Sequence, residues 1–102
     1  MQHYTNKSGY EGIGSQSDWR FLAGRPPGDH PIGAYFTSLG PDTRDLAQKL
    51  MIPRSKLMYR FEFSGDGGLQ PLRGGRGAFV FYSSTDYVVT PLRQVYKGET
   101  GL

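Results

Sequence analysis

The chain has 102 residues, 36% of them hydrophobic and 14% aromatic, with a formal charge of +3 and no cysteine. That length suits one domain spanning 1–102, and aromatic and β-branched residues recur too regularly for a disordered chain. The lack of cysteine excludes disulfides, thiolate metal sites and a cysteine nucleophile. No apolar run approaches the ~20 residues that cross a bilayer, so no membrane partner is expected.

The positive charge is mild and its bases are scattered. It favours an anionic partner, such as a phosphorylated cofactor, an acidic protein or a nucleic acid, or it serves solubility alone. Met1-Gln2-His3 is too polar for a signal peptide. Strand-like residues follow at once, as expected of a module cut from a longer protein.

Residues 3–5 read as a short strand. Ser8 and Glu11 have the S-x-x-E spacing of a capping box, with Tyr10 and Ile13 placed to face a core. Gly9, Gly12 and Gly14 keep that helix short. From Trp19 to Ile32 a loop is expected, because Gly24, Pro26, Pro27, Gly28 and Pro31 deny regular hydrogen bonding. Residues 34–37 form a strand candidate. Pro41 sits at the favoured first position of a helix reaching about Met51, with Leu46 and Leu50 on one face and Asp45 four residues before Lys49.

The clearest strand covers 57–63, with Leu57, Tyr59, Phe61 and Phe63 on one face and Met58, Arg60 and Glu62 on the other. Residues 65–77 hold six glycines, a proline and two arginines and read as a long loop. Strands are expected again at 78–82, 86–89 and 94–96, the last two separated by Pro91. About six short strands and two short helices, without long crossover helices, make an α+β domain.

Familiar catalytic signatures are missing: there is no phosphate-loop G-x-x-x-x-G-K, no dinucleotide glycine fingerprint and no H-E-x-x-H. The two histidines, His3 and His30, give no metal-ligand spacing. His3 beside the first strand is either a satisfied terminal histidine or a ligand group. Tyr35, between small Gly33 and Ala34 and the larger Phe36, packs in a core or meets a flat ligand. Asp86 at a strand start is a turn cap or a functional carboxylate. Arg25, Arg73 and Arg76 in glycine- and proline-rich loops are solvated or meet a phosphate. Tyr59, Phe61 and Phe63 beside Arg60 fit a core-facing row, or the stacking row of a nucleic-acid binder.

In order, these residues resemble the H-Y-E/D clade of ADP-ribosyltransferases, the diphtheria-toxin and poly-ADP-ribose-polymerase group, and most closely the HYD1-type bacterial toxin domains. His3-Tyr4-Thr5 with the following short helix is similar to the opening histidine strand. Gly33-Ala34-Tyr35-Phe36-Thr37 is similar to the G-x-Y-F-[AT] strand. Thr85-Asp86-Tyr87-Val88-Val89, with Gln94-Val95-Tyr96 after it, is similar to the acidic and closing strands.

The resemblance implies a split β-sheet core with NAD+ as substrate and no metal. It places His3, Tyr35 and Asp86 around one pocket: His3 on the adenosine-side ribose, Tyr35 stacked on nicotinamide, Asp86 facing the charge that grows as nicotinamide leaves. The Tyr4 backbone would grip the nicotinamide amide and Thr5 the nearer ribose, with Gly33 close to the cofactor and Arg25 on its phosphates. The helix after Tyr35 offers Thr43, Leu46 and Leu50 and no aromatic, so the far wall of the ring is either aliphatic, from that helix, or supplied from elsewhere by Trp19 or Phe21. With aspartate at the acidic position, single transfer of ADP-ribose to a macromolecule is implied, a protein in preference to nucleic acid. An effector secreted or injected to act in a target-cell cytoplasm is implied too, with a cognate immunity protein. The alternatives are an NAD+ glycohydrolase with water as acceptor, and a small non-enzymatic nucleic-acid or protein-binding module.

Overall fold

The computed structural model describes residues 1–24 and 31–102. Its strands are β1 (Gln2–Thr5), β2 (Trp19–Phe21), β3 (Ala34–Thr37), β4 (Tyr59–Phe63), β5 (Gln70–Pro71), β6 (Val80–Ser83), β7 (Tyr87–Val89) and β8 (Gln94–Glu99). Its helices are α1 (Lys7–Gly14) and α2 (Leu46–Leu50). This is the expected α+β class, with antiparallel pairing throughout. No helix among the described residues is long and apolar enough to cross a membrane.

Six strands form one sheet in the order β5-β6-β3-β1-β4-β8, and β2 pairs with β7 in a second. Alternation along β4 turns Phe61 and Phe63 toward the second sheet, whose Trp19, Phe21, Tyr87 and Val89 complete the core with Ala34 and Phe36. The rings meet edge to face, the arrangement their quadrupoles favour: Trp19 to Phe61 at 5.0 Å, Phe21 to Phe36 at 5.1 Å and Phe36 to Phe63 at 5.3 Å between centroids. Helix α1 covers one end of this layer, with Tyr10 stacked on Tyr59 at 4.6 Å. On the outer face of the large sheet, Tyr4, Leu46 and Leu57 form a smaller cluster under α2.

Four expectations are corrected. The cap of α1 is Asn6, whose side chain accepts from the Gly9 amide at 2.9 Å, so the helix starts before Ser8. Helix α2 begins only at Leu46, because Asp45 at φ 57°, ψ 39° is left-handed and breaks the helical path from Pro41. Leu57 lies in a 3-10 turn, Arg54–Leu57, and packs in the outer cluster, away from the Phe61 row. Two strands lie in expected loops. β2 forms because Trp19 and Phe21 are both apolar and pair with Val89 and Tyr87, and β5 forms where Gln70 and Pro71 extend the β6 edge.

Candidate functional site

The large sheet comes apart locally between β1 and β3. These neighbours pair at Gln2–Thr37 alone, whereas β1 follows β4 over four residue pairs. Past that pair the His3 ring spans the gap, its Nδ1 2.9 Å from the Tyr35 carbonyl. A carbonyl oxygen only accepts, so Nδ1 carries the proton and neutral His3 holds its lone pair on Nε2. Phe21, Phe36 and Phe61 lie 4.7, 5.6 and 6.5 Å from the imidazole. Burial among them holds the His3 pKa below its ordinary value, against a smaller opposing effect of the Tyr35 carbonyl.

At the start of β3, the chain leaving β2 takes the place that β1 has left. Gly24 and Gly33 exchange two backbone hydrogen bonds, at 3.0 and 2.9 Å. One residue earlier, the Ala23 amide donates to Asp86 Oδ1 at 2.8 Å, and Arg20 lies 3.4 Å from Asp86 Oδ2. A run of contacts thus connects Asp86 through Ala23 and Gly24 to Gly33, two residues before Tyr35.

The three principal candidates do not present their side chains to one point. Pairing of Gln2 with Thr37 and the alternation of β3 set Tyr35 on the sheet face opposite His3 and Phe36. Its ring stacks on Tyr82, directly opposite in β6, and its hydroxyl donates to the Pro31 carbonyl. Asp86 sits at the rim of the second sheet. The split gathers the His3 ring, the Tyr35 carbonyl and the Ala23–Gly24 segment that holds Asp86.

The remaining candidates sort by contact. Tyr4 is buried in the outer cluster with its hydroxyl donating to the Leu39 carbonyl at 2.8 Å, and burial raises its pKa. Thr5 closes β1 opposite Tyr59. Gly33 is explained by packing: a Cβ there would stand 2.5 Å from the Ser83 carbonyl oxygen and 3.2 Å from the Tyr82 ring. Trp19 is 3% exposed and offers no face to a ligand, and Phe21 is buried beside it, so neither closes the far side of a nicotinamide. Arg25 lies outside the described residues, as does His30. Arg76 donates to the Leu50 carbonyl at 3.3 Å.

Sequence reasoning missed Arg20, the Ala23 amide and Tyr82. Only Tyr82 left a usable signal, since alternation from Val80 puts it on the face that pairing gives to Tyr35. A cavity of about 470 Å³ opens between α2 and the Arg54–Leu57 turn over Leu46 and Leu57; it is lined by Thr43 and Leu46 but includes none of His3, Tyr35 and Asp86. Among the described residues no cluster of three acidic or histidine side chains is arranged to hold a metal. The chain matches no family model, no curated protein and no solved structure.

Proposed function

We propose that the protein is a mono-ADP-ribosyltransferase that binds NAD+ at the split between β1 and β3. One observation carries the reading. The histidine and tyrosine of the two motif strands meet there through the His3 Nδ1–Tyr35 carbonyl hydrogen bond, beside the segment that holds Asp86. Neutral His3 would accept from an adenosine ribose hydroxyl at Nε2, beside the Tyr35 backbone, while the Tyr35 ring on the opposite face stacks on Tyr82 and would support the strand rather than the nicotinamide.

Cleavage breaks the bond between the ribose anomeric carbon and the nicotinamide nitrogen. The bonding electrons go to the nitrogen, so the cationic ring leaves neutral and needs no acid. Positive charge then grows on the sugar, where the Asp86 carboxylate would stabilise it. A nucleophile on the acceptor bonds to the anomeric carbon and loses its proton to solvent. The acceptor we favour is a macromolecule, a protein before nucleic acid, with water the alternative that makes the chain a glycohydrolase. A toxin-type effector acting in a target-cell cytoplasm, with an immunity protein as partner, belongs to the same proposal.

A second reading has its own observation. Asp86 ties β2 to β7 and His3 fills a gap among phenyl rings, roles that a non-enzymatic binding module would also need. The test is incubation of the protein with labelled NAD+ and a susceptible lysate, followed by mass spectrometry. Nicotinamide release with a labelled macromolecule supports transfer, and free ADP-ribose alone supports hydrolysis. Intact NAD+, with no thermal stabilisation of the protein by NAD+, leaves the binding module.

A further inference from the structure

The two edges of the large sheet differ. At one, β5 is two residues long and its Pro71 has no N–H to offer, features that blunt an edge. At the other, β8 runs six residues, and among the described residues no strand pairs with its outer side. The irregularity in its pairing falls between Glu62 and Phe63 of β4, which leaves Tyr96 to Glu99 in regular register.

That register decides which backbone groups of β8 face outward. The Thr100 amide donates to the Met58 carbonyl, so residue 100 points toward β4. Alternation then turns Gly98 toward β4 and the N–H and C=O of Lys97 and Glu99 away from it. The Glu99 carbonyl accepts from the Tyr96 hydroxyl at 3.1 Å and keeps a second lone pair. The Lys97 and Glu99 side chains share one face of the strand, both exposed and opposite in charge. Lys97 Nζ uses one of its three hydrogens on the Gly14 carbonyl, and the Glu99 carboxylate meets no partner among the described residues.

We propose that β8 is a dimerisation edge whose partner is β8 of a second copy, paired antiparallel about a two-fold axis at Gly98. In that register Lys97 of each copy stands opposite Glu99 of the other. Each such pair exchanges two backbone hydrogen bonds and sets opposite charges across the strands. The two Gly98 residues meet at the axis, at the closer spacing of a non-hydrogen-bonded pair. Moving the axis one residue either way would set Lys97 against Lys97 or Glu99 against Glu99, so charge selects the register. Helix α1 stacks over β4 through Tyr10 and Tyr59, one strand back from the edge. The contact is a single strand pair, so association is weak.

The test is sedimentation velocity on the full chain from ~10 μM to ~1 mM, the range in which a small interface associates. Wild type is expected to move from monomer toward dimer across the series. Lys97→Glu and Glu99→Lys each place like charges across both pairs, and each is expected to weaken self-association about tenfold. An equimolar mixture of the two variants is expected to restore it, because an acidic edge then meets a basic one. The double exchange Lys97→Glu/Glu99→Lys is expected to dimerise as wild type does. Circular dichroism checks the fold of each variant. Should Lys97→Glu lose its fold with the Gly14 contact, Glu99→Lys against wild type decides. Wild type that stays monomeric throughout overturns the proposal. So do single variants that associate as wild type does, or a mixture no more associated than its components. No NAD+ is needed, so the result stands apart from the function proposed above.

Discussion

Asp86 Oδ1 accepts the Ala23 amide at 2.8 Å, so the carboxylate proposed to face the departing nicotinamide also holds the end of β2 against the start of β7. The same side chain thus has a structural task and a proposed chemical one, and a substitution can separate them. Asp86→Asn keeps an oxygen for the amide and removes the charge. If the charge acts on the transition state, single-turnover nicotinamide release should fall about a hundred- to thousandfold, ~3–4 kcal/mol, with NAD+ affinity little changed. The melting temperature should hold within a few degrees, because the lost Arg20 pair is exposed and such pairs contribute little. A near wild-type rate from folded Asp86→Asn would leave only the structural task.

Tyr35 predicts a different pattern, since its ring stacks on Tyr82 on the face away from His3. Tyr35→Ala should lower stability and leave the NAD+ affinity and rate of the folded protein little changed, whereas Asp86→Asn loses rate alone. Tyr35→Phe keeps the ring and removes the hydroxyl from the Pro31 carbonyl. It should cost ~0.5–1.5 kcal/mol of stability in urea titration and leave NAD+ affinity close to wild type. Loss of NAD+ affinity by folded Tyr35→Ala but not by Tyr35→Phe would return the ring to the ligand site.

Trp19 is the clearest reversal of expectation. Edge-on against Phe61 and enclosed by the second sheet, it should ignore NAD+, so its fluorescence should stay constant through a titration. Trp19→Ala should cost ~3–5 kcal/mol, enough to unfold much of a small domain. A quench by NAD+ in wild-type protein, with Trp19→Ala still folded, would return the residue to the ligand site.

The contrast between Trp19 and Phe61 explains what was legible in the sequence. Phe61 belongs to a five-residue strand whose alternation extends over Tyr59, Phe61 and Phe63, long enough for period two to show. Trp19 and Phe21 give that pattern only two apolar positions before the glycines and prolines begin, and their strand exists because Val89 and Tyr87 arrive from the far end of the chain. The site divides in the same way. His3, Tyr35 and Asp86 could be singled out by residue type and order. The gap between β1 and β3, the face on which the Tyr35 ring lies, and the Ala23 amide on Asp86 all depend on non-local register. Helix α2 failed for a local reason that composition does not encode, the left-handed turn at Asp45.

His3 gives the last prediction, and it concerns pH. Burial among three phenylalanine rings holds the folded-state pKa of His3 below its ordinary 6.5. As pH falls through 6.5 the unfolded chain takes up a proton that the folded protein refuses, so stability declines from there until pH passes the folded-state value. The neutral histidine's contribution is therefore complete above 6.5 and lost on acidification. Two other groups have depressed values. The Met1 ammonium, buried against the Phe63 carbonyl, acts with the same sign from its ordinary 8.0 downward. Glu62, held down by its hydrogen bond from Arg60, adds its own loss only below about 4.5. Both remain in a His3→Gln variant, so the difference between variant and wild type isolates His3. Urea titrations between pH 7.5 and 5.5 should show wild-type stability falling steadily and His3→Gln, though less stable at pH 7.5, falling less steeply. NAD+ affinity of the folded protein should weaken only at lower pH, where His3 in the fold at last takes up the proton and loses the Nε2 lone pair offered to the ribose hydroxyl. Identical slopes in the two proteins would mean that His3 stays solvated in the fold, and would remove the burial that fixes its tautomer and aims Nε2 at the ribose hydroxyl.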